Sequence, residues 1–167
     1  MVNGQNNFHN SSFLRRLLWY ILIGLSLYWV SNALVVFPWI LSKTLGIIAM
    51  IFSTLLWGYM AFYCLKHVPR NKWNKDIFFM ALSFLLTGIV QDYLFYAVYR
   101  RIPEELYKPT TFIAYGLSFL LPFFVRYIVL KGYNLKKVLF ITPVKLLLTV
   151  LVGVFAFLFT IWSMKYW

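Results

Sequence analysis

Acidic side chains are scarce in this sequence: four Asp and Glu stand against 16 Lys and Arg in 167 residues. Two-carboxylate acid–base catalysis therefore has few candidate residues. The single cysteine, Cys64, excludes a disulfide within the chain, and neither histidine, His9 or His67, stands near another metal ligand in sequence. No metal and no cofactor is expected. Charged residues make up only 12% of the chain and hydrophobic ones 62%, against about 25% and roughly 45–50% in soluble domains. An ordinary soluble globule is thereby ruled out. No catalytic or transport motif is present, and no internal repeat points to a transporter built by duplication.

The sequence does contain long apolar runs. A helix crosses roughly 30 Å of hydrocarbon with about 20 residues at 1.5 Å per residue. Five segments meet that length, at about residues 17–41, 44–65, 77–99, 110–130 and 138–164. The predicted fold is all-α, a single membrane domain formed as a bundle of five transmembrane helices. Arg15 and Arg16 ahead of the first run resemble the start of a signal peptide, but hydrophobicity continues through Leu34–Phe37 to Leu41, as in an uncleaved span. The Asn10-Ser11-Ser12 sequon would lie in a short cytoplasmic tail, away from the glycosylation machinery.

The net charge of +12 would suggest nucleic acid in a soluble protein. Here most basic residues lie between apolar runs, where anionic headgroups and topology account for them, so no nucleic-acid partner is expected. Nine flanking cations (Arg15, Arg16, Lys66, Arg70, Lys72, Lys75, Lys131, Lys136, Lys137) face five on the other side (Lys43, Arg100, Arg101, Lys108, Lys165). The positive-inside rule then places the N-terminus in the cytoplasm and the C-terminus outside. A bacterial cytoplasmic membrane is the expected compartment. Trp19, Trp39, Trp162 and Trp167 fall near span ends as interfacial anchors, whereas Trp29 and Trp57 lie deeper, as packing residues.

Helices in lipid associate through small and polar residues, so the spacing of those residues marks the buried faces. The second span carries Gly46, Ala49, Ser53, Trp57, Ala61 and Cys64 on one face. The fifth carries Thr142, Lys145, Thr149, Gly153, Ala156, Thr160 and Ser163. The fourth carries Thr111, Tyr115, Ser118, Pro122 and Arg126, and the third gathers Thr87, Gly88, Gln91, Asp92 and Tyr99 opposite Phe79, Leu82, Leu86, Ile89, Val90 and Tyr93. A weaker stripe in the first span runs Tyr20, Gly24, Leu27, Ser31 and Val35. Pro122 and Pro143 are expected to bend their helices.

Matching depth across the hairpins predicts two pockets. An outer polar pocket joins Asp92 and Gln91 with Ser31, Asn32, Tyr115 and Ser118, and Asp92 is the only acid placed within a span. It is expected to serve as hydrogen-bonding glue, to Asn32 or a hydroxyl, as a proton or cation site, or as a substrate-binding group. An inner basic pocket joins Arg126 and Lys145, about 15 Å along the helix axes from Asp92. Its cations either snorkel to the interface or hold an anionic headgroup. The function expected is that of a small membrane binding or accessory protein, engaging an anionic lipid, a partner's transmembrane helices or a second copy of itself. A lipid-modifying enzyme or a proton-coupled transport component using Asp92 is the alternative.

Overall fold

The computed structural model describes residues 13–132 and 139–164. The predicted start of the fifth span at Val138, the flanking Lys136, Lys137 and Lys165, Trp167, His9 and the sequon lie outside them. Five helices are long and apolar enough to cross a membrane, and the chain is an all-α integral membrane protein. They are α1 (Phe13–Leu41), α2 (Lys43–Leu65), α3 (Trp73–Asp92), α4 (Pro109–Phe124) and α5 (Pro143–Ser163). Short 3-10 turns at Arg70–Lys72 and Pro103–Tyr107 lead into α3 and α4.

The helix boundaries follow local chemistry. The Ser42 hydroxyl accepts the Leu45 N–H at 3.1 Å and caps α2, so α1 runs through Pro38 and the chain turns within one residue. Thr142 caps α5 in the same way, accepting the Lys145 N–H at 3.3 Å. Pro143 therefore occupies the first turn of α5, where its missing N–H is harmless, and starts the helix instead of bending it. Pro122 does lie inside α4, which widens just beyond it into a π-helix over Val125–Val129. A second π segment, Tyr93–Tyr99, begins directly after Asp92. Gly132, at φ +80°, supplies the left-handed turn that follows the fourth span.

Helix α1 is the hub, packing against α5, α2 and α3, while α4 lies across α3 and α2. Glycines set two of these crossings. A Cβ on Gly24 would stand 2.4 Å from Thr87 Oγ1, and one on Gly153 would stand 3.0 Å from the Ser26 Cα, so α1 meets α3 and α5 at close range. The Ser26 hydroxyl fastens the second crossing by donating to the Thr149 carbonyl at 2.7 Å. The predicted faces of α2 and α5 point inward: Gly46, Ser53, Ala61 and Cys64 are buried, as are Gly153, Ala156, Thr160 and Ser163. Trp19 departs from its expected interfacial place. It is 2% exposed and belongs, with Trp73, Tyr20 and Phe84, to the apolar core.

The bundle has two chemically different ends. The basic end holds the start of α1, the α2–α3 connection and the start of α5; the other, called acidic because Glu104 and Glu105 stand there among Lys43, Arg100, Arg101 and Lys108, holds the α1–α2 and α3–α4 connections.

Candidate functional site

Toward the acidic end but level with Tyr28, near the middle of α1, Asp92 closes the last α-helical turn of α3, half-buried between α1 and α4. The Tyr28 hydroxyl donates to its Oδ1 at 2.5 Å and the Tyr115 hydroxyl to its Oδ2 at 2.7 Å. Both carboxyl oxygens are thus held by phenols from neighbouring helices. Tyr96, in the π segment, lies within electrostatic reach of Asp92, Glu105 and Arg100. The π-helix keeps the chain helical while shifting the residues beyond Asp92 off the α-helical register, a device frequent at functional sites.

Of the outer residues predicted from sequence, the structure joins only Asp92 and Tyr115 side chain to side chain. Ser31 accepts the Trp57 indole N–H at 2.8 Å, which ties α1 to α2. Asn32 donates to the Tyr28 carbonyl at 3.0 Å, Gln91 to the Thr87 carbonyl at 3.2 Å and Ser118 to the Tyr115 carbonyl at 2.9 Å, each within its own helix. Asn32 thus supports the residue that bonds Asp92 instead of bonding Asp92 itself. Tyr28 was missed because the first-span stripe was drawn through Leu27; the i, i+4 series Tyr20, Gly24, Tyr28 marks the face that meets α3.

At the basic end the structure adds a second acid to the bundle. Asp76, which the sequence reading places in a connection, stands in the first turn of α3 and is 0% exposed. Arg16 Nε donates to its Oδ1 at 2.7 Å and Nη2 to Oδ2 at 3.3 Å, and the Tyr20 hydroxyl adds a bond to Oδ1 at 2.7 Å. Arg16 is therefore no flanking charge but a buried partner, and this neutralisation lets α1 and α3 begin earlier than hydropathy alone suggests. The sequence signal was the i, i+4 pair Arg16 and Tyr20, facing a carboxylate that also suits the positive N-terminus of α3.

Arg126 and Lys145 have different partners. The Arg126 guanidinium stacks over Trp73, 4.8 Å from the ring centroid, with its Nε buried and unpaired. Lys145 Nζ donates to the Phe140 carbonyl at 2.8 Å and to His67 Nε2 at 3.0 Å. Since His67 Nδ1 lies 2.9 Å from the Tyr63 carbonyl, which can only accept, the proton sits on Nδ1 and Nε2 offers a lone pair to Lys145. Burial pushes the imidazole's pKa down, and Lys145 and Lys66 add to the effect, against the opposing bond to Tyr63. His67, unassigned from sequence, thus anchors the start of α5 to the α2–α3 connection.

Asp76 and Asp92, 16 residues apart on one helix, are separated by about 24 Å of rise and cannot act as a catalytic pair. Among the described residues no group of three or more His, Cys, Asp or Glu could hold a metal ion. Compared with known protein families, curated proteins and solved structures, the chain matches none.

Proposed function

We propose that the chain is a small membrane binding protein that collects anionic lipid around its basic end, as an accessory component of a bacterial cytoplasmic membrane with that end on the cytoplasmic side. The observation that carries this reading is the segregation of charge. Of the four acids, Asp92, Glu104 and Glu105 belong to the acidic end, and the fourth, Asp76, is consumed inside the bundle by Arg16. Lys66, Lys72, Lys75 and Lys131 stand at the basic end half-buried or exposed, with no described carboxylate at their surface. The Lys66 and Lys75 ammonium groups lie over Phe62 and Phe13, 4.4 and 4.8 Å from the ring centroids, at helix ends where anionic headgroups would meet them. Each such lysine is worth about 1 kcal/mol toward an anionic surface.

Native mass spectrometry of the full chain, released from vesicles of mixed phosphatidylcholine and phosphatidylglycerol, tests the reading. Retained phosphatidylglycerol is expected, and Arg126→Ala with Lys145→Ala reports whether those two cations belong to the same lipid site. Retention in the same ratio as the vesicle composition would overturn the proposal.

A second reading rests on Asp92, a carboxyl group in the bundle whose two oxygens each accept from a phenol. A proton-handling role predicts that Asp92→Asn abolishes pH-dependent flux across vesicles while the fold persists. Unchanged flux would remove it.

A further inference from the structure

Because α5 leans chiefly on α1, a cleft of about 330 Å³ stays open where α1, α3 and α5 meet. Leu25 and Trp29 of α1, Val154 and Phe157 of α5, and Gln91 of α3 line it. The crossing of Ser26 with Gly153 sits at its wall, already at closest approach, so the helices cannot move together to close it. The volume falls at the low end of small-molecule sites, roughly 300–1,000 Å³.

One polar group makes this cleft more than a crevice for acyl chains. Gln91 is 5% exposed, and its amide nitrogen is committed to the Thr87 carbonyl. Its amide oxygen receives no hydrogen bond from any described residue, and the nearby Ser26 hydroxyl is taken by the Thr149 carbonyl. The cleft residues of α5 surround the middle of Pro143–Ser163, and those of α1 straddle the middle of Phe13–Leu41. At that depth a phospholipid offers only hydrocarbon, with no donor for an amide oxygen. An occupant that satisfies the site must be apolar, uncharged and equipped with a donor.

We propose that the α1–α3–α5 cleft binds a membrane-dissolved alcohol, with its hydroxyl donating to Gln91 and its apolar skeleton lying between Trp29, Val154 and Phe157. This site is separate from the basic-end lipid reading and stands or falls without it, since its ligand carries no charge.

Two diazirine photoprobes of equal chain length, one ending in a hydroxyl and one in a methyl group, test it on the full chain in phosphatidylcholine nanodiscs. The hydroxyl probe is expected to label the peptides holding Trp29 and Val154 saturably, and the methyl probe only in proportion to its concentration. Gln91→Leu should raise the half-saturating concentration of the hydroxyl probe about tenfold. Val154→Phe, a change on a half-exposed apolar position, should fill the cleft and abolish saturable labelling even if Gln91→Leu fails to fold. Equal labelling by the two probes, or saturable labelling that survives Val154→Phe, would overturn the proposal.

Discussion

Helix α3 carries two aspartates, each bonded by a tyrosine of α1, and they differ in a single partner. Asp76 has Tyr20 and the Arg16 guanidinium and is sealed from solvent; Asp92 has Tyr28 and Tyr115 and is half-buried. The first is a closed electrostatic unit, whose two charges cancel and whose donors and acceptors are satisfied, so it fixes how α1 and α3 sit together. The second is held by two neutral phenols and is only half-buried, and such a group retains the capacity to exchange a proton or meet a cation. The same acid–phenol pairing thus serves architecture at one end and leaves chemistry open at the other.

The contrast can be broken most severely at Asp76. Asp76→Ala strands Arg16 in the core and should cost about 3–5 kcal/mol, as happens when one member of a buried ion pair is removed. Reversible unfolding in mixed micelles measures it, and Arg16→Met with Asp76→Leu should recover most of the loss. If the single variant were as stable as the parent, Asp76 would be no anchor. At the other end, Tyr115→Phe removes one donor to Asp92 and should cost about 1–2 kcal/mol by the same assay. A cost matching that of Asp76→Ala would erase the distinction between the ends. Asp92→Asn keeps an acceptor for one phenol and lets the other rotate to accept, so a loss of about 1 kcal/mol or less is expected.

The smallest effect concerns His67. With its folded pKa below the unfolded value of about 6.5, the neutral ring contributes stability that is fully present above pH 6.5 and declines as pH falls toward the folded value. Unfolding at pH 7.5 and pH 5 should therefore show a decline that shrinks in His67→Gln. An identical pH slope in the two proteins would mean that His67 does not report on the anchoring of α5.

Much of this architecture was legible because membrane helices write it in composition. Length and hydropathy place five rods, and the small-residue stripes ending in Thr160 and Ser163 of α5 and in Ala61 and Cys64 of α2 turn inward as their spacing implies. On the third span Leu86, Ile89, Val90 and Tyr93 are exposed as expected, whereas Phe79 and Leu82 are half-buried and Tyr99, expected on the inner face, is exposed because the π segment after Asp92 shifts the register. The sites were less legible because periodicity assigns a residue to a face without naming the group across from it. Depth matching gathers several polar residues around Asp92, of which Tyr115 is hydrogen-bonded to it, while Asn32, Gln91 and Ser118 spend their hydrogen bonds on their own helices, an outlet open to any short polar side chain within reach of a carbonyl. Asp76 and Arg16 were hidden for the opposite reason. Charges at span ends look like solvated flanks until a structure shows that they neutralise one another.

The uneven charge of the two ends leads to the most direct test. Spin-labelled phosphatidylglycerol and phosphatidylcholine, compared in vesicles holding the full chain, report which lipid is immobilised at the protein surface. A preference for the anionic lipid is expected, weakening with added salt and falling by about half when Lys66, Lys72, Lys75 and Lys131 are changed together to Gln, since Arg15 and Arg70 remain. Equal immobilisation of the two lipids by the unaltered protein would contradict it.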